Sequence, residues 1–153
     1  MARLNLGAGA DVRQGWINHD LVKRPGIDVA WDLNKLPWPW PDNAFEMVLA
    51  MSVLEHLQLD LIQALNECWR IIQPEGVLSI KYPLFSSPFI HHDPTHHWYW
   101  SEVAVDFVDL STEYGKRYDY YTDYKWQIVE RHMSERNGWA SLKPVKPSRG
   151  EAQ

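Results

Sequence analysis

The sequence begins with a short strand-like run, Ala2–Leu6, that stops at Gly7 and Gly9 in the string LNLGAG. Glycine carries no Cβ atom, so the backbone can turn sharply there or approach a ligand closely. The run therefore predicts a strand that ends in a tight turn. Taken alone, the pattern is weak evidence for a turn that holds a cofactor, because an ordinary tight turn has the same residues.

Four further short runs have the composition of strands, since most are apolar and bounded by Gly, Pro, Asn or Asp. They cover residues 15–20, 28–31, 45–50 and 77–82. Runs of this kind are typical of a mostly parallel, buried sheet.

The segment LDLIQALNECWRIIQPEG predicts one helix, because its apolar residues recur at i, i+3, i+4 spacing. Asp60 can cap its start, and Pro74 and Gly76 end it. The apolar face consists of Leu61, Ile62, Leu65, Cys68, Trp69 and Ile72. Together with the strands on either side, this helix makes a right-handed crossover unit.

The C-terminal part of the chain predicts a second, weaker helix from Ser101 onwards and then a hairpin. Residues 122–145 alternate apolar and polar side chains around Asn137-Gly138, which is typical of an antiparallel hairpin. We expect residues 1–142 to form one compact domain and the polar residues 143–153 to be a flexible tail.

The link between the first two predicted strands is unusually short, because only ADVRQ follows Gly9. The first crossover helix must therefore be absent or reduced to a single turn, which leaves one face of the sheet thinly covered. Exposed parallel sheet is unfavourable. The sequence thus predicts a homodimer in which two chains cover each other's faces.

The composition favours a small-molecule partner and leaves a local basic patch open. The formal net charge of −5 gives no global field that attracts nucleic acid or an anionic membrane, so a small molecule is the expected partner.

Cys68 is the only cysteine in the sequence, so neither an internal disulfide nor a thiolate metal cluster is expected. No apolar run approaches the ~18 residues that cross a bilayer, and the N-terminus lacks an export signal. A cytoplasmic location is expected.

In this order along the chain, several motifs resemble those of the class I S-adenosylmethionine-dependent methyltransferases, in a shortened form similar to methyltransferase type 11. LNLGAG resembles the first strand and glycine loop, and INHDL resembles the second strand with its acidic end. WDLNKLPWPWPDNAFEMVLAMSVLEHL is the most specific piece, and WRIIQPEGVLSI resembles the segment that leads into the fifth strand. The resemblance covers residues 4–83. The expected fold class is α/β, a Rossmann-like, mostly parallel sheet with a C-terminal antiparallel hairpin and with the first crossover helix reduced or absent.

The resemblance implies that S-adenosylmethionine is the cofactor and binds outside the carboxyl ends of the strands. Asp20 would accept hydrogen bonds from the ribose hydroxyls, and Asp32 would accept one from the adenine amine. Either carboxylate could instead cap a turn. Backbone N–H groups of the glycine turn would approach the methionine and ribose portion. The implied cofactor-binding residues are Asn5, Gly7, Ala8, Gly9, Asp20, Leu21, Asp32, Leu33, Met51 and Ser52.

Two features depart from the family pattern. Asn5 stands where the family usually has an acidic residue, and it supplies no charge to the cationic end of the cofactor. The third glycine of the loop and the helix after it are missing. We expect a cofactor affinity that is modest or depends on a partner chain.

Catalytic residues are hard to predict from the sequence, because methyl transfer mainly requires the acceptor to be held in line with the methyl group. A general base is needed only where the attacking atom must lose a proton. His56, in LEHL after the fourth strand, and Asp93 and His96, in HHDPTHH after the fifth, are the candidates. The Glu55-His56 pair could instead be structural.

The string HHDPTHH also fits a metal site, because imidazole and carboxylate suit zinc, iron or nickel. Neighbouring residues of a strand point to opposite faces, so His91 and His92 would not both face one ion. Pro94 fixes a turn that could bring His92 and His96 together. The pattern favours a substrate-side loop or a structural turn, and no residue is assigned as a metal ligand.

The expected function is S-adenosylmethionine-dependent methyl transfer to an unidentified acceptor, such as a small molecule or a sugar. Two alternatives remain open. One is a catalytically inactive module that binds the cofactor and serves regulation or assembly. The other is a metal-dependent enzyme that uses the HHDPTHH loop.

Overall fold

The computed structural model describes residues 1–147, which form a seven-stranded sheet with few helices. The strand order is β3-β2-β1-β4-β5-β7-β6. Strands β1 to β5 run parallel, and β7 is antiparallel to both β5 and β6. This arrangement confirms the predicted fold class. The strands are β1 Ala2–Leu6, β2 Ile17–Asp20, β3 Val29–Ala30, β4 Phe45–Met51, β5 Ile72–Pro83, β6 Trp126–Met133 and β7 Asn137–Pro144.

The predicted amphipathic helix is α1, Leu61–Ile71. Its start is a capping box, since Asp60 accepts from the Gln63 N–H while the Gln63 side chain accepts from the Asp60 N–H. The helix ends at Ile71, a few residues before the predicted end. Ile72 already has extended backbone (ψ 141°), so Pro74 and Gly76 lie within β5 rather than ending the helix.

A pairing shift between Phe45↔Ile72 and Met47↔Val77 accommodates the start of β5. Proline has no N–H to donate to a neighbouring strand, so Pro74 fits such an irregularity better than regular pairing. The core contains the inward side chains of β1, β4 and β5 and the apolar face of α1. Four of the largest fully buried side chains are Trp38, Trp126, Tyr82 and Phe45.

The link between β1 and β2 has turns and no helix within residues 7–16, as the length of this link predicted. Side-chain hydrogen bonds organise it instead. Asn5 Nδ2 donates to the Asp11 carbonyl (2.8 Å) and to Asn18 Oδ1 (3.1 Å). The Arg13 N–H also donates to Asn18 Oδ1 (2.9 Å).

The second predicted helix is interrupted. A 3-10 helix, Ala104–Val108, and the short α2, Glu113–Arg117, stand in its place. Asp109 separates them with extended backbone, and its Oδ2 accepts a 2.8 Å hydrogen bond from the Ile128 N–H. The hydrogen bond between Asp109 and β6 therefore favours an extended backbone over a continuous helix at this residue.

The C-terminal hairpin is present, but its turn lies one step earlier than predicted. Ser134 Oγ accepts from the N–H groups of Arg136 and Asn137 (3.2 and 3.1 Å), which makes residues 134–136 the turn. Gly138 instead pairs with Tyr82 inside β7, where a Cβ atom would lie 2.8 Å from the tyrosine ring. Close packing therefore explains this glycine.

The first two residues of the predicted tail, Lys143 and Pro144, are part of β7. Residues 148–153 of that tail lie outside the described residues. Among residues 1–147, no helix is long and apolar enough to cross a membrane.

Candidate functional site

A cleft of about 390 Å³ opens at the carboxyl ends of β1, β2, β3 and β4. The sheet order reverses between β1 and β4, and ligands of open α/β sheets bind at such a switch point. Its lining comprises Gly7, His19, Asp20, Leu21, Trp31, Asp32, Leu33, Asn34, Ser52, Val53, His56, Leu57, Thr95 and His97. Six of the ten predicted cofactor-binding residues are among them: Gly7, Asp20, Leu21, Asp32, Leu33 and Ser52.

The two glycines after β1 have the same backbone conformation but different surroundings. Both have left-handed backbone, with φ of 59° at Gly7 and 53° at Gly9. A Cβ atom at Gly7 would lie 2.5 Å from Val53 Cγ2, so close packing excludes one. At Gly9 no atom lies within 4 Å of such a Cβ, so the space beside it is open.

The carboxylate of Asp20 is held at the end of β2 by backbone donors. Its Oδ2 accepts from the Gly9 N–H and its Oδ1 from the Leu21 N–H, both at 2.7 Å. Asp20 remains partly exposed and lines the cleft. Each carboxylate oxygen can accept more than one hydrogen bond, so acceptor capacity is left for a ligand.

Asp32 and Leu33 follow β3 and form the next wall of the cleft. Asp32 Oδ1 accepts from the Asn34 N–H at 3.0 Å, which is also the turn-capping role that the sequence left open. The Leu33 carbonyl accepts from Trp38 Nε1 at 2.9 Å. This buried tryptophan therefore fixes the backbone beside Asp32.

Ser52 has left-handed backbone (φ 57°) although it is not a glycine. Its N–H donates to the Lys81 carbonyl at 2.9 Å, and this bond holds the chain in that conformation after β4. Non-glycine residues in this region cluster at functional sites.

Three of the predicted residues lie elsewhere. Asn5 is buried beneath the β1–β2 link, and Ala8 is buried with its N–H donated to the His19 carbonyl. Met51 lines a different cleft, beside β5 and β7. Gly9 contacts Asp20 at the rim without lining the main cleft.

His19 is a cleft residue that sequence reasoning missed. Its Nδ1 accepts from the Gly7 N–H (3.3 Å) and its Nε2 contacts the Trp31 carbonyl (2.9 Å), which joins the turns after β1 and β3. Burial lowers the pKa of His19 below its ordinary value of 6.5. The imidazole is therefore held neutral.

A second chamber of about 440 Å³ adjoins the cleft and shares Ser52 and His56 with it. Its walls come from the 3-10 helix Leu54–His56, the end of β5, the HHDPTHH loop and the β6–β7 turn. The remaining lining residues are Glu55, Pro83, Ser87, Phe89, Asp93, His96, Arg136 and Asn137.

The three predicted catalytic residues meet in this chamber, together with Glu55. His56 Nε2 lies 4.0 Å from Asp93 Oδ2, and His96 Nε2 lies 3.9 Å from the same oxygen. His96 Nε2 is also 4.0 Å from Glu55 Oε1. The two imidazole rings meet edge to face, with centroids 4.7 Å apart.

Glu55 has the most unusual environment in the chamber. It is 1% exposed, and its Oε2 has no hydrogen-bond partner among the described residues. Burial, and to a smaller extent the charge of Asp93, raises the pKa of Glu55 to about 7. The sequence offered only its place in LEHL, because the burial depends on a loop distant in the sequence.

The other histidines of the loop lie apart from this cluster. His91 and His92 are exposed, and His91 Nδ1 contacts the Tyr99 hydroxyl at 3.3 Å. The His97 N–H donates to the Glu55 carbonyl at 2.8 Å, which ties the loop to the 3-10 helix. The structure pairs His96 with His56 rather than with His92.

The strand order, the glycine turn and the cleft at the switch point define the fold of a class I S-adenosylmethionine-dependent methyltransferase. Residues 8–80 match the family model described as a methyltransferase domain. A Mycolicibacterium smegmatis protein described as a probable S-adenosylmethionine-dependent methyltransferase is 31% identical over 75 residues. That alignment covers 49% of this chain and 28% of the relative, so the chain spans less than a third of the relative's length.

Solved structures show the same fold. A SAM-dependent methyltransferase from Archaeoglobus fulgidus superposes with a TM-score of 0.63 at 17% identity, over 93% of this chain and 86% of that one. A Burkholderia thailandensis 1,6-didemethyltoxoflavin-N1-methyltransferase was solved with bound S-adenosylhomocysteine. It superposes with a TM-score of 0.61 at 15% identity, over 95% of this chain and 71% of that one. The chain has the fold of the class I S-adenosylmethionine-dependent methyltransferases, as its motifs predicted, and residues 8–80 are similar to the methyltransferase domain of that family. S-adenosylmethionine is the cofactor of that class.

Proposed function

We propose that this chain binds S-adenosylmethionine in the cleft after β1–β4 and transfers its methyl group to a small molecule in the adjoining chamber. One observation carries the proposal: the cleft and the chamber meet at Ser52 and His56. Two ligands bound on either side of this junction would have their reacting ends together, as direct transfer requires.

The residues of the cleft fit the cofactor. Asp20 has acceptor capacity for the ribose hydroxyls, and Asp32 and the Leu33 N–H stand beside each other for the adenine edge. The open space at Gly9 lets a ligand approach the backbone. Ser52 would meet the methionine portion near the chamber, whereas Asn5 and Ala8 would act through the shape of the turn. The cofactor supplies a methyl group that is already activated on a sulfonium.

The side chains of the chamber would position the acceptor and take up its proton. His56 stands at the junction, where the attacking atom would lie, and Asp93 and His96 surround it. A hydroxyl or amine acceptor would place its proton among these groups. The proposed acceptor class, a small polar molecule or a sugar, follows from the chamber's volume and its polar lining.

Calorimetric titration with S-adenosylmethionine and S-adenosylhomocysteine tests the cofactor site. Asp20→Ala and Asp32→Ala should each weaken both titrations, while Asp123→Ala, at an exposed carboxylate outside the cleft, should leave them unchanged. A folded protein that binds neither compound would refute the proposal.

Turnover separates an enzyme from a binding module. Incubation with labelled S-adenosylmethionine and pools of small polar acceptors should yield a methylated product. Retained cofactor binding without transfer to any pool would identify the inactive regulatory or assembly module, which the uncharged, internally bonded Asn5 favours.

The predicted homodimer remains a proposal. It is supported by the turn-only link in residues 7–16 and by a second cleft of about 360 Å³ on the sheet, which includes Met51 and Trp139. Sedimentation at micromolar concentration tests it, and a strictly monomeric chain would count against it. The cytoplasmic location likewise stays a prediction.

A further inference from the structure

Four side-chain atoms converge in the chamber without a hydrogen bond between any two of them. They are Glu55 Oε1, Asp93 Oδ2, His56 Nε2 and His96 Nε2, with the contacts between them at 3.9 to 4.0 Å. Ligand atoms of Glu55, His56 and His96 all lie within 4.8 Å of one another.

The hydrogen bonds of the Thr95 hydroxyl define the tautomer of His56. Thr95 Oγ1 donates to Asp93 Oδ1 at 2.7 Å, because a carboxylate only accepts. The hydroxyl has one proton, so its 2.8 Å contact with His56 Nδ1 must be donated by the imidazole. In the neutral imidazole, His56 Nε2 therefore carries a lone pair.

The same reasoning applies to His96. Its Nδ1 lies 3.3 Å from the Ile90 carbonyl, which can only accept, so Nδ1 carries the proton. In the neutral ring, His96 Nε2 then also presents a lone pair towards Glu55 and Asp93. Histidine metal ligands typically have this arrangement, with the other ring nitrogen donating to an oxygen.

Four lone-pair atoms facing one another repel unless a proton or a metal cation lies between them. The buried Oε2 of Glu55 is also unpartnered among the described residues. Two nearby cationic side chains are directed to aromatic rings: Arg136 lies 3.9 Å from the centroid of Phe89, and Lys81 lies 5.5 Å from that of Trp139. Neither side chain forms an ion pair with Glu55 or Asp93 among residues 1–147, so a bound cation would compensate these carboxylates directly.

We propose that Glu55, His56, Asp93 and His96 bind one divalent first-row transition-metal ion. Two imidazoles and two carboxylates suit zinc, iron or nickel. Ligand atoms about 2.1 Å from an ion are roughly 3.0 to 3.4 Å apart. The three contacts of 3.9 to 4.0 Å would therefore close by about 0.5 to 1 Å, and the wider separations among Glu55, His56 and His96, up to 4.8 Å, by at most about 1.8 Å. The site opens into the chamber, so an ion with five or six coordination positions would have room there for a further ligand.

This inference deepens the proposed function, and only its catalytic consequence rests on that function. A hydroxyl or amine acceptor that binds at an open position of the ion would be oriented towards Ser52 and would lose its proton more readily. The metal site itself stands whether or not the chain transfers a methyl group.

Cobalt(II) titration tests the site, because bound cobalt(II) changes its visible absorption with coordination geometry. Protein purified without a histidine tag and treated with a chelator should bind one equivalent of Co²⁺. His96→Ala and Glu55→Gln should weaken Co²⁺ binding by at least about tenfold, the scale of even outer-shell losses. His91→Ala and His92→Ala, in the same loop but outside the cluster, should bind as the wild type does.

Two further measurements keep the test decisive. Zn²⁺ should raise the melting temperature of the wild type but not that of His96→Ala, since a ligand that binds the native state stabilises it. Asp20→Ala should weaken cofactor binding yet keep the cobalt spectrum, which separates this inference from the cofactor assignment. A wild type whose Co²⁺ spectrum is that of the free ion, or a His96→Ala protein that binds Co²⁺ normally, would overturn the proposal.

Discussion

The Gly9 N–H donates a 2.7 Å hydrogen bond to Asp20 Oδ2, and this bond joins the turn after β1 to the end of β2. The other carboxylate oxygen accepts from the Leu21 N–H. One side chain therefore shapes the turn and also presents acceptors to the cleft. Because no helix follows the turn in residues 7–16, Asp20 takes over part of the ordering that a helix would supply.

Asp20→Asn should weaken binding of S-adenosylhomocysteine by about tenfold to a hundredfold, the range for lost hydrogen bonds to a charged group. Asparagine keeps one acceptor oxygen, so either Gly9 or Leu21 loses its partner, and the charge that favours two hydroxyl donors disappears. Calorimetry of the variant beside Asp123→Asn measures the effect. Equal affinities would show that Asp20 only caps the turn.

The two glycines should respond differently to alanine. Gly7→Ala combines left-handed strain with a 2.5 Å approach to Val53, and it should lower the free energy of unfolding by about 2–4 kcal/mol. Gly9→Ala meets open space, so about 1–2 kcal/mol of strain remains. Its methyl group should instead interfere with ligand approach at the cleft's rim.

Urea unfolding of both variants, followed by cofactor titration of each, tests this contrast. Val53→Ala serves as the matched control, because it removes the side chain that the Gly7→Ala methyl group would meet. In the Val53→Ala background, Gly7→Ala should cost less than in the wild type. An unchanged cost would mean that backbone strain, not packing, requires Gly7.

The sequence predicted those parts of the molecule whose signals are local. The strand ends with Gly7, Asp20, Asp32 and Ser52, and the capped start of α1, depend on neighbouring residues in the chain. The break at Asp109 was missed because the bond that favours it comes from β6. The position of the hairpin turn was missed because Gly138 packs against Tyr82 of β5.

The same distinction applies to the site. His56, Asp93 and His96 were chosen by residue type and by their position after strands, and the structure brings them together. Glu55 and His19 owe their properties to burial under segments distant in the sequence, which periodicity does not reveal. A buried carboxylate next to histidines is visible only once the HHDPTHH loop is placed over the 3-10 helix.

The stability of the protein should fall as the pH drops below about 6.5, in part because of His19. Burial lowers its folded-state pKa below the ordinary 6.5, so the unfolded chain binds a proton that the native state excludes. Protonation would also remove the Nδ1 lone pair that accepts from the Gly7 N–H. His19→Gln, which does not titrate in this range, should show a shallower decline of the unfolding free energy in urea titrations below that pH. Identical slopes for the two proteins would contradict this role.

Arg70 should be a principal anchor of the segment between β3 and β4. Its guanidinium donates to the carbonyls of Trp38 (3.1 Å) and Trp40 (2.8 Å), and it pairs with Glu67 (2.8 Å) on the same helix. Glu67 in turn accepts from the Trp38 N–H at 2.7 Å. Burial acts to raise the pKa of Glu67, yet its hydrogen bonds with Arg70 and Trp38 bring it below the ordinary value.

Arg70→Met should lower the free energy of unfolding by about 2–3 kcal/mol, because two carbonyls lose their side-chain donor and the Glu67 carboxylate loses its cationic partner. Arg70→Lys should recover only part of this loss, since an ammonium lacks the planar fork that reaches several acceptors together. Cofactor affinity should fall as well, because Trp38 Nε1 holds the Leu33 carbonyl beside Asp32. Chemical unfolding and calorimetry of both variants measure the two effects. A stable Arg70→Met protein with normal affinity would show that packing of Trp38 and Trp40 alone fixes this segment.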